Sequence, residues 1–319
     1  MSQSLKIVFV GTSAFAVPAL NALAKDDRVR IIAVVTQPDR PSGRGLACQP
    51  SPVKKAAFEI GCRIYQPERF HEGGILEQLR YEAPDLMVVA AYGQILKRPV
   101  LDLPRLGCLN IHASLLPKYR GPSPIQTAIL NREKETGVTI MWMDEGLDTG
   151  DIFLQERVRL RRRETAVTLH DRLAELGSKM IIEAVRRIQS GQITRIPQSG
   201  EPSWTKKILR EDGKIDWTQS REAIDAQIRA LQPWPGAYTT VRLANGCSGV
   251  MKIYSTILSR RARGRAGEVL RTDRHGILVA CGETGGLLLR EVQLEGRRRM
   301  HARDFILGHP IAIGTILGE

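Results

Sequence analysis

Over its first 190 residues the chain alternates short apolar runs with segments of helical spacing, and this alternation constrains the fold more than any other feature. Residues 5–10 form an apolar run that stops at Gly11, and 14–24 then carry apolar side chains at helical spacing. The pattern repeats. Residues 30–35 read as strand, 52–60 as helix, 63–65 as a brief strand and 75–81 as helix, while 85–91 and 108–112 read as buried strands. Residues 137–143 alternate with period two, as a sheet-edge or hairpin strand does. Successive strand–helix units need crossovers that cover both faces of a sheet. The expected fold class is therefore α/β, with a Rossmann-like, mostly parallel sheet domain. The first turn is Gly11-Thr12-Ser13 and lacks the glycine pattern that cradles a pyrophosphate, which disfavours a nicotinamide dehydrogenase.

Residues 164–189 read as one long helix, opened at Glu164 or Thr165 and stopped by Gly191. The stretch 192–207 is rich in Pro, Gly, Ser and Thr and reads as a linker. After Ile215 short strands sit between turn signals such as Pro233-Trp234-Pro235-Gly236 and Asn245-Gly246, which favours a small, OB-like β-barrel. The expected division is a domain over 1–190, a linker over 191–209 and a β-barrel domain over 210–319.

Charge narrows the partners. Of 319 residues, 47 are Lys or Arg and 34 Asp or Glu, a net +13. Thirteen basic and five acidic residues fall between Arg242 and Arg303, so the excess is concentrated near the C-terminus. A polyanion, nucleic acid first, is the expected partner. No run approaches the roughly 18 uncharged apolar residues of a membrane helix, and no membrane partner is expected. The N-terminus has neither a signal-peptide nor a transit-peptide pattern, so a cytoplasmic location is expected. Five scattered cysteines, none in a C-x-x-C pair, argue against disulfides and against a metal site.

The chemistry-bearing residues cluster between Asn110 and Asp151. In Asn110-Ile111-His112 the first and third residues share one face of a strand, so amide and imidazole project together. They sit at a strand's carboxyl end, where open parallel sheets bind ligands. Residues 113–122 follow as a proline-braced loop suited to a flat heteroaromatic ligand, and 144–151 form an acidic, glycine-containing loop. Asn, His and Asp together suit acyl transfer to an amine. The amide donates to an oxyanion, the imidazole relays a proton, and the carboxylate orients the imidazole or a water. No Ser or Cys nucleophile stands beside His112, so direct transfer is simpler than an acyl-enzyme. Taken singly, each motif is as compatible with a structural role.

Together they resemble one family. Asn-Ile-His-x-Ser-Leu-Leu-Pro, then Thr-Gly-Val-Thr-Ile-Met and Gly-Leu-Asp-Thr-Gly-Asp-Ile, resemble the formyltransferases that use 10-formyltetrahydrofolate. The resemblance extends through an inserted loop, Thr36-Gln37-Pro38-Asp39-Arg40-Pro41-x-Gly43-Arg44-Gly45, to Ile215-Asp216-Trp217 and Pro233-Trp234-Pro235. It implies Asn110, His112 and Asp148 as catalytic residues. It implies Ser114, Leu115, Leu116 and Pro117, with the backbone at Gln94, Ile95 and Leu96, as the folate-contacting set. The implied co-substrate is 10-formyltetrahydrofolate, with no metal. The implied acceptor is the α-amine of methionine on initiator tRNA, attacking directly through a tetrahedral intermediate in a monomeric enzyme. Arg40 and Arg44 in the loop, Lys206, Lys207 and Arg210 beyond the long helix, and Arg297 and Arg298 near the C-terminus are the implied tRNA contacts. The loop departs from the family after Gly45, where Leu46-Ala47-Cys48-Gln49 replaces two expected lysines. Two other readings remain: a formyltransferase for amino-sugar nucleotides, which should lack the Arg44 loop and the basic bias, and a non-catalytic nucleic-acid-binding protein on a relic enzyme fold.

Overall fold

The computed structural model describes residues 4–42, 47–71, 74–282 and 284–319. The chain forms two compact units. One holds the residues up to Pro124 together with Glu135–Arg159 and His170–Lys206; the other holds Ile125–Lys134, Leu160–Leu169 and Lys207–Glu319.

In the first unit the strands are β1 (Leu5–Gly11), β2 (Val29–Val35), β5 (Ile64–Tyr65), β6 (Leu86–Ala90), β7 (Cys108–His112), β8 (Glu135–Trp142) and β9 (Ile152–Arg159). A separate ribbon pairs β3 (Arg40–Ser42) with β4 (Ala47–Gln49). The large sheet has the order β5-β2-β1-β6-β7-β8-β9. Its first five strands pair in parallel, and β8 and β9 add on antiparallel. The mostly parallel sheet is what the alternation predicts. Strand β6 sits at its centre and all five of its residues are buried, which explains its unbroken apolar sequence.

The helices of this unit are α1 (Val17–Ala24), α2 (Pro52–Glu59), α3 (Ile75–Glu82) and α4 (Arg98–Leu101). Helix α2 starts where Ser51 Oγ accepts the Lys54 N–H and Pro52 takes the first helical position. Helix α5 (Pro124–Leu130) follows β7, and α6 (Ala166–Gln189) is the long helix expected from sequence. Thr165 and Thr168 cap its start reciprocally, each hydroxyl accepting the other's backbone N–H. Further along α6, a Cβ added at Gly177 would stand 2.7 Å from a methyl of Ile111, so glycine lets the helix lie close against β7. The segment expected as a linker is tied into the first unit as far as Lys206: Ile196 pairs with Ile152, and Trp204 with Arg120.

The second unit is built on an antiparallel sheet of β10 (Ala237–Arg242), β11 (Ser248–Ser259), β12 (Val269–Asp273), β13 (Gly276–Ala280), β14 (Gly286–Leu294) and β15 (Met300–His301). Its order is β10-β11-β14-β13-β12, with β15 beside β14. The C-terminal tail closes this sheet toward a barrel. Gly314 and Leu317 donate to Val269 and Gly267 beside β12, and Gly318 donates to Thr240 on β10. Two helices, α7 (Arg221–Ala230) and α8 (Ala302–Gly308), pack on it and seal a core that includes Trp217, Ile224, Ile228 and Phe305. The strand-and-turn expectation after Ile215 omitted both helices.

Candidate active site

Strand β7 delivers the first two groups. Its register sets Asn110 opposite Met141 and His112 opposite Thr139 of β8, and both functional side chains leave by the same face. His112 is 6% exposed. Its Nε2 lies 2.9 Å from the Tyr119 carbonyl oxygen. A carbonyl only accepts, so in the neutral ring Nε2 carries the hydrogen and Nδ1 keeps its lone pair. That lone pair faces Asp148, whose Oδ2 is 3.7 Å away, too far for a hydrogen bond and close enough for electrostatic contact. Asn110 Nδ2 reaches Asp148 Oδ1 at 3.4 Å. The three residues expected to act together therefore converge on one site.

Asp148 is held from several sides. It adopts a left-handed backbone, φ 54°. The Gly121 N–H donates to its Oδ2 at 2.7 Å. Upstream in its loop, Asp144 Oδ1 accepts from the Gly146 N–H and the Thr149 hydroxyl. Just beyond it, a Cβ on Gly150 would stand 1.8 Å from the Trp142 carbonyl oxygen, so the loop returns to the sheet where only glycine fits. The Gln198 amide then donates to the Asp148 and Gly150 carbonyls, both at 2.8 Å, while its Oε1 accepts from the Arg120 guanidinium at 2.7 Å. Ser203 completes the frame, with its Oγ accepting the Tyr119 N–H at 2.9 Å. Gln198 and Ser203 were invisible in sequence, because polar residues in a Pro/Gly/Ser-rich stretch carry no period that marks them.

The loop after β7 is braced from β8. Thr139 Oγ1 donates to the Ser114 carbonyl at 2.7 Å and accepts the Leu116 N–H at 3.2 Å. Ser114 Oγ closes the turn on the Lys118 carbonyl, Leu116 is buried, and Leu115 and Pro117 are half-buried. On the other flank, Val89 of β6 pairs with Asn110, so the chain leaving β6 runs off beside the site. Thr12 and Gln37 side chains both bond the Tyr92 carbonyl there and fix the crevice between β1 and β6. In the stretch that follows, Gln94 Nε2 donates to the Glu68 carbonyl, Ile95 is 75% exposed, and Leu96 is buried in the apolar cluster with Tyr92 and Val100. Leu96 thus offers a ligand backbone rather than side chain. An exposed isoleucine at a sheet's switch point suits a flat ring system.

Of the expected tRNA contacts, Arg44 lies outside the described residues. Arg40 is exposed, 3.6 Å from Glu68. Lys206, Lys207, Arg210, Arg297 and Arg298 are all exposed. Among the described residues no cluster of three or more His, Cys, Asp or Glu side chains could hold a metal ion, and no helix is long and apolar enough to cross a membrane.

Residues 5–185 match the family model described as formyl transferase, and 207–310 match that of the formyl transferase C-terminal domain. The chain therefore belongs to the formyl transferase family, and within it to the methionyl-tRNA formyltransferases. It is 54% identical over 316 residues to the methionyl-tRNA formyltransferase of Methylacidiphilum infernorum, covering 99% of this chain and 98% of that protein. It is 42% identical to that of Pelotomaculum thermopropionicum, with 99% of both chains covered. Solved structures share the fold. A Helicobacter canadensis N-formyltransferase in complex with folinic acid and dTDP-3-aminofucose superposes with TM-score 0.65 at 21% identity, over 89% of this chain and 98% of that one. HypX from Aquifex aeolicus in complex with tetrahydrofolic acid superposes with TM-score 0.62 at 17% identity, over 95% of this chain and 47% of that one.

Proposed function

We propose that the protein transfers the formyl group of 10-formyltetrahydrofolate to the α-amine of methionine on initiator tRNA, as a cytoplasmic monomer. Residues 1–190 carry the chemistry, the segment up to Lys206 braces it through Gln198 and Ser203, and 210–319 hold tRNA. The observation that carries this reading is the convergence of Asn110, His112 and Asp148, in a chain whose full length aligns with methionyl-tRNA formyltransferases. The amino-sugar nucleotide alternative does not account for a net charge of +13.

The amine attacks as neutral NH2. A bond forms between its nitrogen and the formyl carbon, the bond from that carbon to N10 breaks, and one proton moves from the amine to N10. His112 Nδ1, with its lone pair free, accepts the amine proton and is the group that returns it to the departing nitrogen. The charged ring finds the Asp148 carboxylate at 3.7 Å, which stabilises it while it holds the proton. Asn110 Nδ2 donates to the carbonyl oxygen as that atom gains negative charge, a contribution of about 10²–10³ in rate. Its hold on Asp148 is long at 3.4 Å, which leaves the amide free to take the better acceptor. Ser114–Pro117 and the backbone at Gln94–Leu96 line the donor's ring system. Arg40, Arg44, Lys206, Lys207, Arg210, Arg297 and Arg298 contact the tRNA.

The test is formylation of methionyl-initiator tRNA with 10-formyltetrahydrofolate, elongator tRNA serving as control. The wild type should formylate the initiator far faster. His112→Ala should retain tRNA binding and lose turnover by at least about 100-fold. Equal rates on both tRNAs, or full turnover in the variant, would overturn the reading.

A further inference from the structure

An aminoacyl ester brings more than an amine to the site. The amino acid is joined to a ribose, and that ribose carries a nucleobase. When the amine enters the pocket the base must come to rest beside it, and none of the groups assigned so far receives a base. Trp204 is placed to do so. It is 59% exposed, an unusual state for a residue whose burial is worth so much, so a ring face stays open to solvent. It is pinned all the same. Its backbone pairs with Arg120, the flanking Thr205 N–H donates to the Arg120 carbonyl, and the Arg120 guanidinium carbon stands 6.0 Å from its ring centroid.

This tryptophan is also close to the chemistry. The preceding residue, Ser203, accepts the Tyr119 N–H, and the Tyr119 carbonyl takes His112 Nε2. Arg120 in turn binds Gln198, which clamps the Asp148 loop. An open indole, a guanidinium beside it and a lysine two residues on (Lys206) make up the stacking-plus-cation combination that holds unpaired nucleotides. We infer that Trp204 is the stacking platform for the terminal nucleobase of the aminoacyl-tRNA. This rests on the proposed acceptor and adds the residue that seats its 3′ end. Because every base has a π-face, the platform aligns the ester and does not select the sequence.

Stacking of one base is worth about 1–3 kcal/mol, a factor of roughly 5–150 in affinity. With the full-length enzyme, Trp204→Leu should raise KM for methionyl-tRNA about tenfold or more and leave KM for 10-formyltetrahydrofolate unchanged. Trp204→Phe, which keeps an aromatic face, should stay within a few-fold of wild type. A second measurement does not depend on how well the leucine variant folds. Adenosine 5′-monophosphate should quench the tryptophan emission of the wild type and of Trp234→Phe, but not that of Trp204→Phe. The platform fails if Trp204→Leu keeps the wild-type KM for methionyl-tRNA, or if Trp204→Phe is quenched as the wild type is. A wild-type enzyme inactive on methionyl-tRNA would instead overturn the acceptor on which the platform depends.

Discussion

At the scale of single residues, the site depends on one nitrogen being free. In the neutral ring the Tyr119 carbonyl fixes the His112 hydrogen on Nε2 and leaves the Nδ1 lone pair open, as the proposed base requires. Nothing about Tyr119 as a residue type announces this, since it acts through its backbone. Its own position is held by Ser203 and by the left-handed φ of 62° that turns the chain back under the imidazole. Gln198 does the corresponding work for the carboxylate. Its amide hydrogens hold two carbonyls of the Asp148 loop, and no other side-chain bond to these carbonyls is seen among the described residues. Removing it should loosen the loop without touching either substrate. Gln198→Ala is expected to lower kcat by about 10- to 100-fold, the cost of roughly an ångström of misplacement, with both KM values nearly unchanged. Steady-state kinetics with each substrate varied in turn checks this; a rise in one KM with kcat intact would make Gln198 a binding residue.

At the scale of elements, the ribbon of β3 and β4 carries Arg40 and frames the stretch that includes Arg44. It is anchored at one root by a charged contact. Lys54 Nζ donates to Asp39 Oδ2 at 2.5 Å, and Gln66 Nε2 donates to Asp39 Oδ1 at 2.7 Å. The Lys54 ammonium first, and Gln66 second, hold the Asp39 carboxyl below its ordinary value. A depressed carboxylate stabilises the ordered ribbon fully above the unfolded pKa of about 3.9, and loses that contribution as pH falls through the lower folded value. Between neutrality and pH 5 the anchor should therefore be constant. Asp39→Asn removes it at all pH values. The ribbon amides should then exchange with solvent several-fold faster while the central sheet strands keep their protection, as hydrogen exchange resolved by segment would report. Uniform protection across the ribbon would show the ion pair to be idle. Elements also differ in how far the sequence announces them. Strand β6 is buried throughout and appears as an unbroken apolar run, and β1 departs from one only at Lys6, whereas β7 is interrupted by the two polar residues it delivers to the site. The edge strand β9 mixes Glu156, Arg157 and Arg159 into its exposed half, which hides its alternation. Helix α7 carries Ile224 and Ile228 at helical spacing behind a Ser220 cap, but it is short and set among turn signals. Asn110 and His112 were legible because one strand holds them two residues apart. Gln198 and Ser203 were not, because only tertiary contact brings them to the site.

At the scale of the whole molecule the governing quantity is charge. Thirteen basic and five acidic residues between Arg242 and Arg303 give that stretch a strong excess, and some of it is neutralised at short range. Arg271 pairs with Asp273 at 2.9 Å, Arg303 with Asp304 at 3.4 Å, and Arg299 with Glu291. Arg299 also lies over the Tyr254 ring at 4.3 Å. Arg297 and Arg298 make no ion pair among the described residues and project from the turn after β14. Exposed pairs contribute little to folding, so added salt should move the melting temperature only slightly. Binding of a polyanion is different, because each neutralised phosphate releases counterions. A surface making about six phosphate contacts should lose roughly a thousandfold in tRNA affinity between about 50 and 200 mM salt. Arg297→Ala and Arg298→Ala should each reduce the slope of log K against log[salt] by about one if the side chain meets a phosphate, and weaken initiator and elongator tRNA alike. Such uniform loss follows because charge grips any acceptor stem, while selection belongs to shape and unpaired bases at its end. Titrating tRNA at several salt concentrations, with the melting temperature followed in parallel, separates the two effects. A flat binding response would remove tRNA as the partner of this basic surface and return the acceptor to the sugar-nucleotide class.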